Sequence, residues 1–584
     1  MMRGWYKSPK IAVALIAVLV FLVAVACGSS ATAPTSAPAA AATGTPVPQA
    51  VATQPPAVTG AQPMGILNIG YKELGAYNAH PRTTQGQQGL FVGSSVTESL
   101  VMVTPDAKFA PKIAKEWSVS EDTLTWTFKL NQGIQFHKGY GELTAEDVIW
   151  SVRDNTAHDE SVSASNGNYK RLWKAEGGSV TQVDDHTIEI HTGTPQYDML
   201  NWMSKPYTAL ITSKAQWDAE GEEGSRVGVG SGAWEISESR SGELWRFDAV
   251  ADHYRKTPNF SELIFWEIPE ESTRVANFQA GKLDTFVMAL DSLPAIETVR
   301  GVKFMRLRGA GTVHLGFYGN WYVGHGTDKQ MPGYDGDLPW VSSNPDPNSE
   351  EWDKARKVRE ALSISIDRQL IVDELLKGEG SPLVLWGWEE HIDRLKPQHR
   401  QWEYNVERAK QLLAEAGYKD GFEVDFTPDI RGIPAEVEAT EAIATMWEEI
   451  GVKAKLFRVP YDTIAPQIRA RTYNGLNTHG TGGRIDPLGL LNQTIVSGKG
   501  FTGGSDHPIM DEWVLKANGI LDEGERYEEL VELAGWVYDN VMEAGIYQVN
   551  FVWPLSEKID GWPEHLELGD RRVLTGLEWV PHRQ

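Results

Sequence analysis

Cysteine is almost absent: the chain of 584 residues has one, Cys27. A single thiol forms no disulfide within the chain, so the fold must rest on its apolar core. Long apolar runs are scarce as well. Residues 11–25 form a nearly pure aliphatic stretch, shorter than the about 20 residues of a comfortable membrane span. Basic charge is in deficit: the formal net charge is −25, or −28 once Arg3, Lys7 and Lys10 leave with a cleaved leader. That balance argues against nucleic acid and against a body that hugs anionic lipid. The residue patterns of catalysis are missing too. There is no HExxH and no GxxxxGK[ST], and the clusters SGAW and TGGSDH lack the strand–turn–helix setting of a nucleophile elbow. His186 and His191, five apart in HTIEIH, are expected on opposite faces of a strand, as solvent and core residues and not as ligands. The oxygen-rich loop at 333–352 fails EF-hand spacing, which leaves open whether it holds an ion. No enzyme activity, cofactor or metal is expected.

What is present begins at Cys27. Three basic residues, a short apolar segment and small residues at the junction make a secretory signal over residues 1–26. Ala24-Val25-Ala26-Cys27-Gly28 resembles a bacterial lipobox, in which the cysteine is lipidated and becomes the mature N-terminus. That places the body outside the cytoplasm, on the outer face of the cytoplasmic membrane. Ala24 departs from the usual leucine; the alternative is ordinary Ala-x-Ala cleavage before a free cysteine. Residues 28–65 contain seven prolines and no charged or aromatic residue, so they cannot bury a core. A tether over 27–64 spanning about 30–40 Å is expected. The function lies beyond it, in about 520 residues, enough for two or three domains.

The body opens with the apolar strand ILNIGY. In LTWTFKL, Leu124, Trp126, Phe128 and Leu130 alternate with polar residues, a half-buried strand. Asn131-Gln132-Gly133 predicts a turn, with a return strand from Ile134 and Phe136. Thr144 and Asp147 form a capping box, with Leu143 and Val148 as its staple. Farther on, Asp367 and Asn405 read as helix caps, Gly378 and Gly417 as stops, and helix–strand alternation as α/β architecture.

The ordered run WSVSED, LTWTFKL, GIQFHKG, LTAEDV closely resembles the signature of the family 5 extracellular solute-binding proteins. These are the oligopeptide-, dipeptide- and nickel-binding receptors of ABC importers. Segments starting VGSGAW, KVREALSISID and EYNVERAKQLLAEAGY are similar to the family in the same order. The resemblance implies an α/β, two-lobed periplasmic-binding-protein (Venus-flytrap) fold with a hinge and an extra subdomain inserted in the first lobe. Lobe I is expected at 65–94, 205–312 and 546–584, the insert at 95–204, and lobe II at 313–545, with hinge crossings near 314–320 and 546–551.

The resemblance also implies a ligand in the interlobe cleft, handed to membrane permease subunits driven by cytoplasmic ATPases. The partners expected are a small-molecule or peptide ligand, those transporter subunits, and the membrane through the lipid anchor alone; the protein is expected as a monomer. Peptide-binding relatives hold the α-amino group with a D-x-x-D/E-P loop. Here Asp486-Pro487 keeps the end of that motif, while Gly483 stands in place of the first carboxylate and Arg484 follows it. An anionic or polyhydroxylated solute, such as an oligosaccharide, thereby gains over a plain peptide. Trp386 and Trp388, two apart in VLWGWEEH, would share one wall in extended chain. Tyr71 and His80 would line the cleft entrance. The other readings are a ligand sensor docking on a membrane receptor and a secreted hydrolase.

Overall fold

The computed structural model describes residues 62–74, 79, 82, 93–104, 108–161, 166–173, 176–204, 210–224, 226–322, 330–482, 486–497, 503–562 and 576–583. Cys27, the expected tether up to residue 61, His80, Gly483 and Arg484 lie outside the described residues. Among those described, no helix is long and apolar enough to cross a membrane.

β1 (Ile66–Tyr71) buries Leu67 and Ile69 completely. The chain then builds a subdomain on four antiparallel strands, β2 (Ala114–Val119), β3 (Thr125–Leu130), β4 (Ser179–Asp184) and β5 (Thr187–His191), ordered β2-β3-β5-β4. In β3, Trp126, Phe128 and Leu130 are buried and Lys129 is exposed, as alternation requires. The expected return strand at Ile134 and Phe136 does not form. A strand has two edges, and β2 and β5 occupy both edges of β3. Ile134 and Phe136 enter the subdomain core instead, and the chain turns at Lys138 and Gly139, both at positive φ. α1 (Ala145–Ile149) begins with the capping box of Thr144 and Asp147, and its staple residues Leu143 and Val148 are fully buried. His186 falls in the turn before β5, 3.1 Å from Glu142, so it does not share a strand with His191. α2 (Met199–Met203) follows.

β6 (Trp234–Arg240), β7 (Leu244–Ala249), β8 (Glu262–Glu267) and β9 (Thr285–Phe286) return to β1 and form a sheet ordered β9-β1-β8-β7-β6. Among the described residues the largest sheet has seven strands. Its main path runs through β10 (Lys303–Phe317), β11 (Gly380–Pro382), β12 (Phe422–Ile430), β13 (Val452–Leu456), β14 (Leu476–Gly482) and β15 (Glu543–Leu555), in the spatial order β11-β15-β10-β14-β12-β13. β12 is parallel to β13 and β14, whereas β10 is antiparallel to β14 and β15.

β10 and β15 make a ribbon that serves two cores. Near one end, Met305, Leu307, Trp553 and Leu555 pack with the first sheet. Toward the other, Val313, Leu315, Phe317, Ile546 and Val549 belong to the core of the large sheet. The ladder shifts register between Leu307 and Gly311, where the ribbon passes from one core to the other.

α3 (Glu350–Ile364), α4 (Arg368–Glu374), α5 (Val406–Glu415) and α6 (Glu436–Glu448) cover one face of the large sheet through Val358, Leu362, Ile371, Leu412, Ile443 and Trp447. Asp367 and Asn405 cap α4 and α5, each accepting a backbone N–H at 2.9 Å. α7 (Tyr461–Arg469), α8 (Pro487–Thr494), α9 (Pro508–Asn518) and α10 (Glu523–Asp539) follow. This helical region touches the four-stranded subdomain: Thr123 Oγ1 donates to the Asn518 carbonyl at 3.0 Å, and Arg526 lies 3.7 Å over the Tyr197 ring.

Candidate functional site

The two faces of the large sheet differ in chemistry. On β10, Val313, Leu315 and Phe317 point into the helix-covered core, so Thr312, His314 and Gly316 take the opposite face. Register then fixes their neighbours: His314 pairs with His479, and Gly316 with Asn477. β12 supplies Phe426 to the core and Asp429 to the opposite face. Every residue of β14 is buried, although its sequence, LNTHGTG, holds one apolar side chain. A polar strand buried on both faces calls for partners inside the protein.

His479 has them. Its Nδ1 bonds the Asp429 carboxylate, and its Nε2 accepts from Arg431 Nη1 at 2.9 Å. The second bond requires an unprotonated Nε2, so Nδ1 carries the proton and donates to Asp429. Burial, with Arg431 nearby, holds the His479 imidazole far below its usual range and therefore neutral. Burial pushes the Asp429 carboxyl up to about 7, against the bond from Asn477 Nδ2 at 2.7 Å. Arg431 also donates to the Gly480 carbonyl at 3.0 Å, and its guanidinium lies 4.3 Å over the Tyr461 ring. The loop beneath it is held by Glu436, whose carboxylate accepts the backbone N–H groups of Arg431, Gly432 and Ile433.

Arg431 follows directly on the carboxyl end of β12. The parallel strand β14 ends at Gly482, which pairs with Gly311 on the ribbon. Open α/β sheets bind ligands in the crevice beyond the carboxyl ends of their parallel strands. Here that edge faces the point where β10 and β15 run on into the first sheet's core. A planar cation fixed at such an edge suits a carboxylate or a similar anion.

Residues 108–501 match the model of the bacterial extracellular solute-binding proteins, family 5. The chain belongs to that family. It is 25% identical over 486 residues to Heme-binding protein A of Haemophilus influenzae, covering 77% of this chain and 81% of that one. It is 23% identical over 469 residues to the Dipeptide-binding protein of Escherichia coli, with 75% and 77% covered. Among solved structures, the PBP AgaA in complex with agropinic acid, from A. tumefacien R10, superposes with a TM-score of 0.70 at 19% identity over 89% of this chain and 99% of that one. The periplasmic binding protein DppA of Helicobacter pylori, in complex with peptide STSA, gives 0.67 at 17% identity over 89% and 98%. The fold is the two-lobed α/β fold of these binding proteins.

In this family 5 protein the expected site residues are dispersed. Tyr71 ends β1 and is buried in the first sheet's core. Asp486 caps α8, accepting the Leu488 N–H at 3.1 Å, and its other oxygen accepts from Asn201 Nδ2 of the four-stranded subdomain at 2.5 Å. The shared wall expected of Trp386 and Trp388 is not formed. Gly387, at φ +86, turns the chain between them, so the i, i+2 rule of extended backbone does not apply. Trp386 packs with Tyr318, Trp321 and Leu490, while Trp388 enters a different cluster with Trp352 and Leu533. Trp386 does border the polar face: its ring stacks on His314 with centroids 4.2 Å apart. Sequence reasoning missed Arg431, His479, Asp429 and His314. The polar composition of β14 within a buried sheet was the signal that could have found them.

Proposed function

We propose that this family 5 protein is the solute-binding lipoprotein of an ABC importer, anchored through Cys27 to the outer face of the cytoplasmic membrane. Its solute is peptide-like and carries a carboxylate, which Arg431 grips at the carboxyl edge of β12. The observation that carries this reading is the arginine fork itself, oriented by His479 and the Gly480 carbonyl and stacked on Tyr461. Lobe I would comprise 65–94, 205–312 and 546–584, with the insert at 95–204 and lobe II at 313–545. The lobes would move about the β10–β15 ribbon, which packs into both cores. Gly483 removes the acid that would hold an amine, Arg484 adds a second cation, and Asp486 joins the loop to the insert. His80 would contribute from the first lobe, and Trp386 stands behind the site, stacked on His314. Relatives named for heme, dipeptides and agropinic acid support a cleft of adaptable chemistry on one scaffold.

The test is calorimetry with alanyl-leucine and its C-terminal amide. A charged hydrogen bond contributes about 1.5–3 kcal/mol, so the wild type should favour the free carboxylate by roughly 10- to 150-fold. Arg431→Ala should lose that preference, and Arg431→Lys should recover part of it, because lysine keeps the charge without the fork. Equal affinity for acid and amide in the wild type would overturn the role of Arg431.

A further inference from the structure

His314 is fully buried, and among the described residues neither of its ring nitrogens has a hydrogen-bond partner. That is unusual for a polar group inside a sheet, where buried donors and acceptors are almost always paired. Packing does not explain it. Trp386 stacks on the face of the imidazole at 22° between planes, whereas the N–H and the lone pair lie in the ring plane and emerge at its edge. The stack therefore fixes the plane of the ring without using either nitrogen.

A second orphan lies on the same face. Asn477 donates through Nδ2 to the Thr427 carbonyl and to Asp429, but among the described residues its Oδ1 is a buried acceptor with no partner. In the β10–β14 ladder His314 faces His479 and Gly316 faces Asn477, so the two orphans are diagonal neighbours. Gly316 itself places no side chain between them; the Tyr318 ring packs against it, its Cε2 2.5 Å from where a Cβ would stand. Together they offer one donor and two acceptors.

The surroundings decide what charge such a site accepts. Burial, then His479 and Arg431, keep His314 neutral. Asp429 is bonded to both His479 and Asn477. Glu543, which faces Gly316 across the ribbon, accepts the Trp386 backbone N–H at 2.8 Å, and burial pushes its carboxyl up to about 8. Arg431 already serves the carboxylate of the same solute in the reading above, so a second ionised group would enter a dry face at a large desolvation cost.

We infer that His314 and Asn477 form a subsite for a neutral hydrogen-bonding group of the bound solute, a primary amide or a hydroxyl. The inference rests on the carboxylate-gripping reading above, since it concerns a second group of the same solute. A site built to hydrogen-bond a ligand group rejects the analogue that lacks it, because the protein's polar atoms are then left buried and unpaired.

The isosteric dipeptides alanyl-asparagine, alanyl-aspartate and alanyl-leucine test this by calorimetry on the whole protein. Wild type should bind alanyl-asparagine at least about 10-fold more tightly than the other two. His314→Phe should erase the preference, and His314→Gln should retain part of it. If the three dipeptides bind wild type alike, the subsite is refuted while the cleft reading stands. If none binds, the reading beneath it fails as well. The wild-type comparison needs no variant, so the inference remains testable even if His314→Phe does not fold.

Discussion

Glu98 lies on the chain between β1 and the four-stranded subdomain, and its side chain is completely shielded from solvent. One carboxylate oxygen accepts from Arg255 Nε at 2.6 Å; the other accepts from Tyr254 Oη at 2.8 Å and Ser231 Oγ at 3.2 Å. Arg255 also reaches Glu578 near the C-terminus at 3.1 Å, so the network ties three distant segments together. Burial by itself would raise the Glu98 carboxyl. The charges of Arg255, His253 and Lys112 and the Tyr254 bond overcome it and hold the group at about 2, against an ordinary 4.5. A shift of that size corresponds to about 3 kcal/mol. Because the folded value lies below the unfolded one, this stabilisation is complete above about pH 4.5 and is lost as pH falls toward 2.

Glu98→Gln keeps the shape and removes the charge. Arg255 retains Glu578, so the cost should be about 2–3 kcal/mol, less than the 3–5 kcal/mol of a fully broken buried pair. For a body of this size that is a Tm lower by a few degrees at pH 7. Thermal unfolding followed from about pH 7 to 2.5 should show the gap between variant and wild type closing below about pH 4.5. A variant that melts with wild type at neutral pH, or a gap that stays constant down to the acid end of that range, would refute the reasoning.

Removing the α5 cap with Asn405→Ala should cost about 1 kcal/mol, read as a small loss of Tm. Gly421→Ala should be far worse than Gly417→Ala. Both positions have positive φ, but a Cβ at Gly421 would sit 1.8 Å from the Gly451 carbonyl oxygen, while one at Gly417 meets nothing within 4 Å; equal melting of the two variants would contradict this. Cys27→Ser should release the protein from membranes in fractionation while solute binding persists, and full retention in the membrane fraction would rule out the lipid anchor.

The sequence by itself determined what depends on near neighbours. The caps at Thr144, Asp367 and Asn405 and the alternation of β3 are local, because the atoms involved lie within a few residues of one another. The ordered motifs carried the family as well, since they repeat that local chemistry in a fixed order. The return strand at Ile134 and Phe136 failed for a non-local reason: β5, far along the chain, took the edge it needed. Gly387 likewise undid the tryptophan wall: the chain turns there at positive φ, and Trp386 and Trp388 enter separate cores. The candidate site was the least legible part. His314, Asp429, Arg431 and His479 come from β10, from β12 and the loop after it, and from β14, and register alone puts them on one face. No spacing along the chain encodes that meeting, since it exists only once three strands have paired.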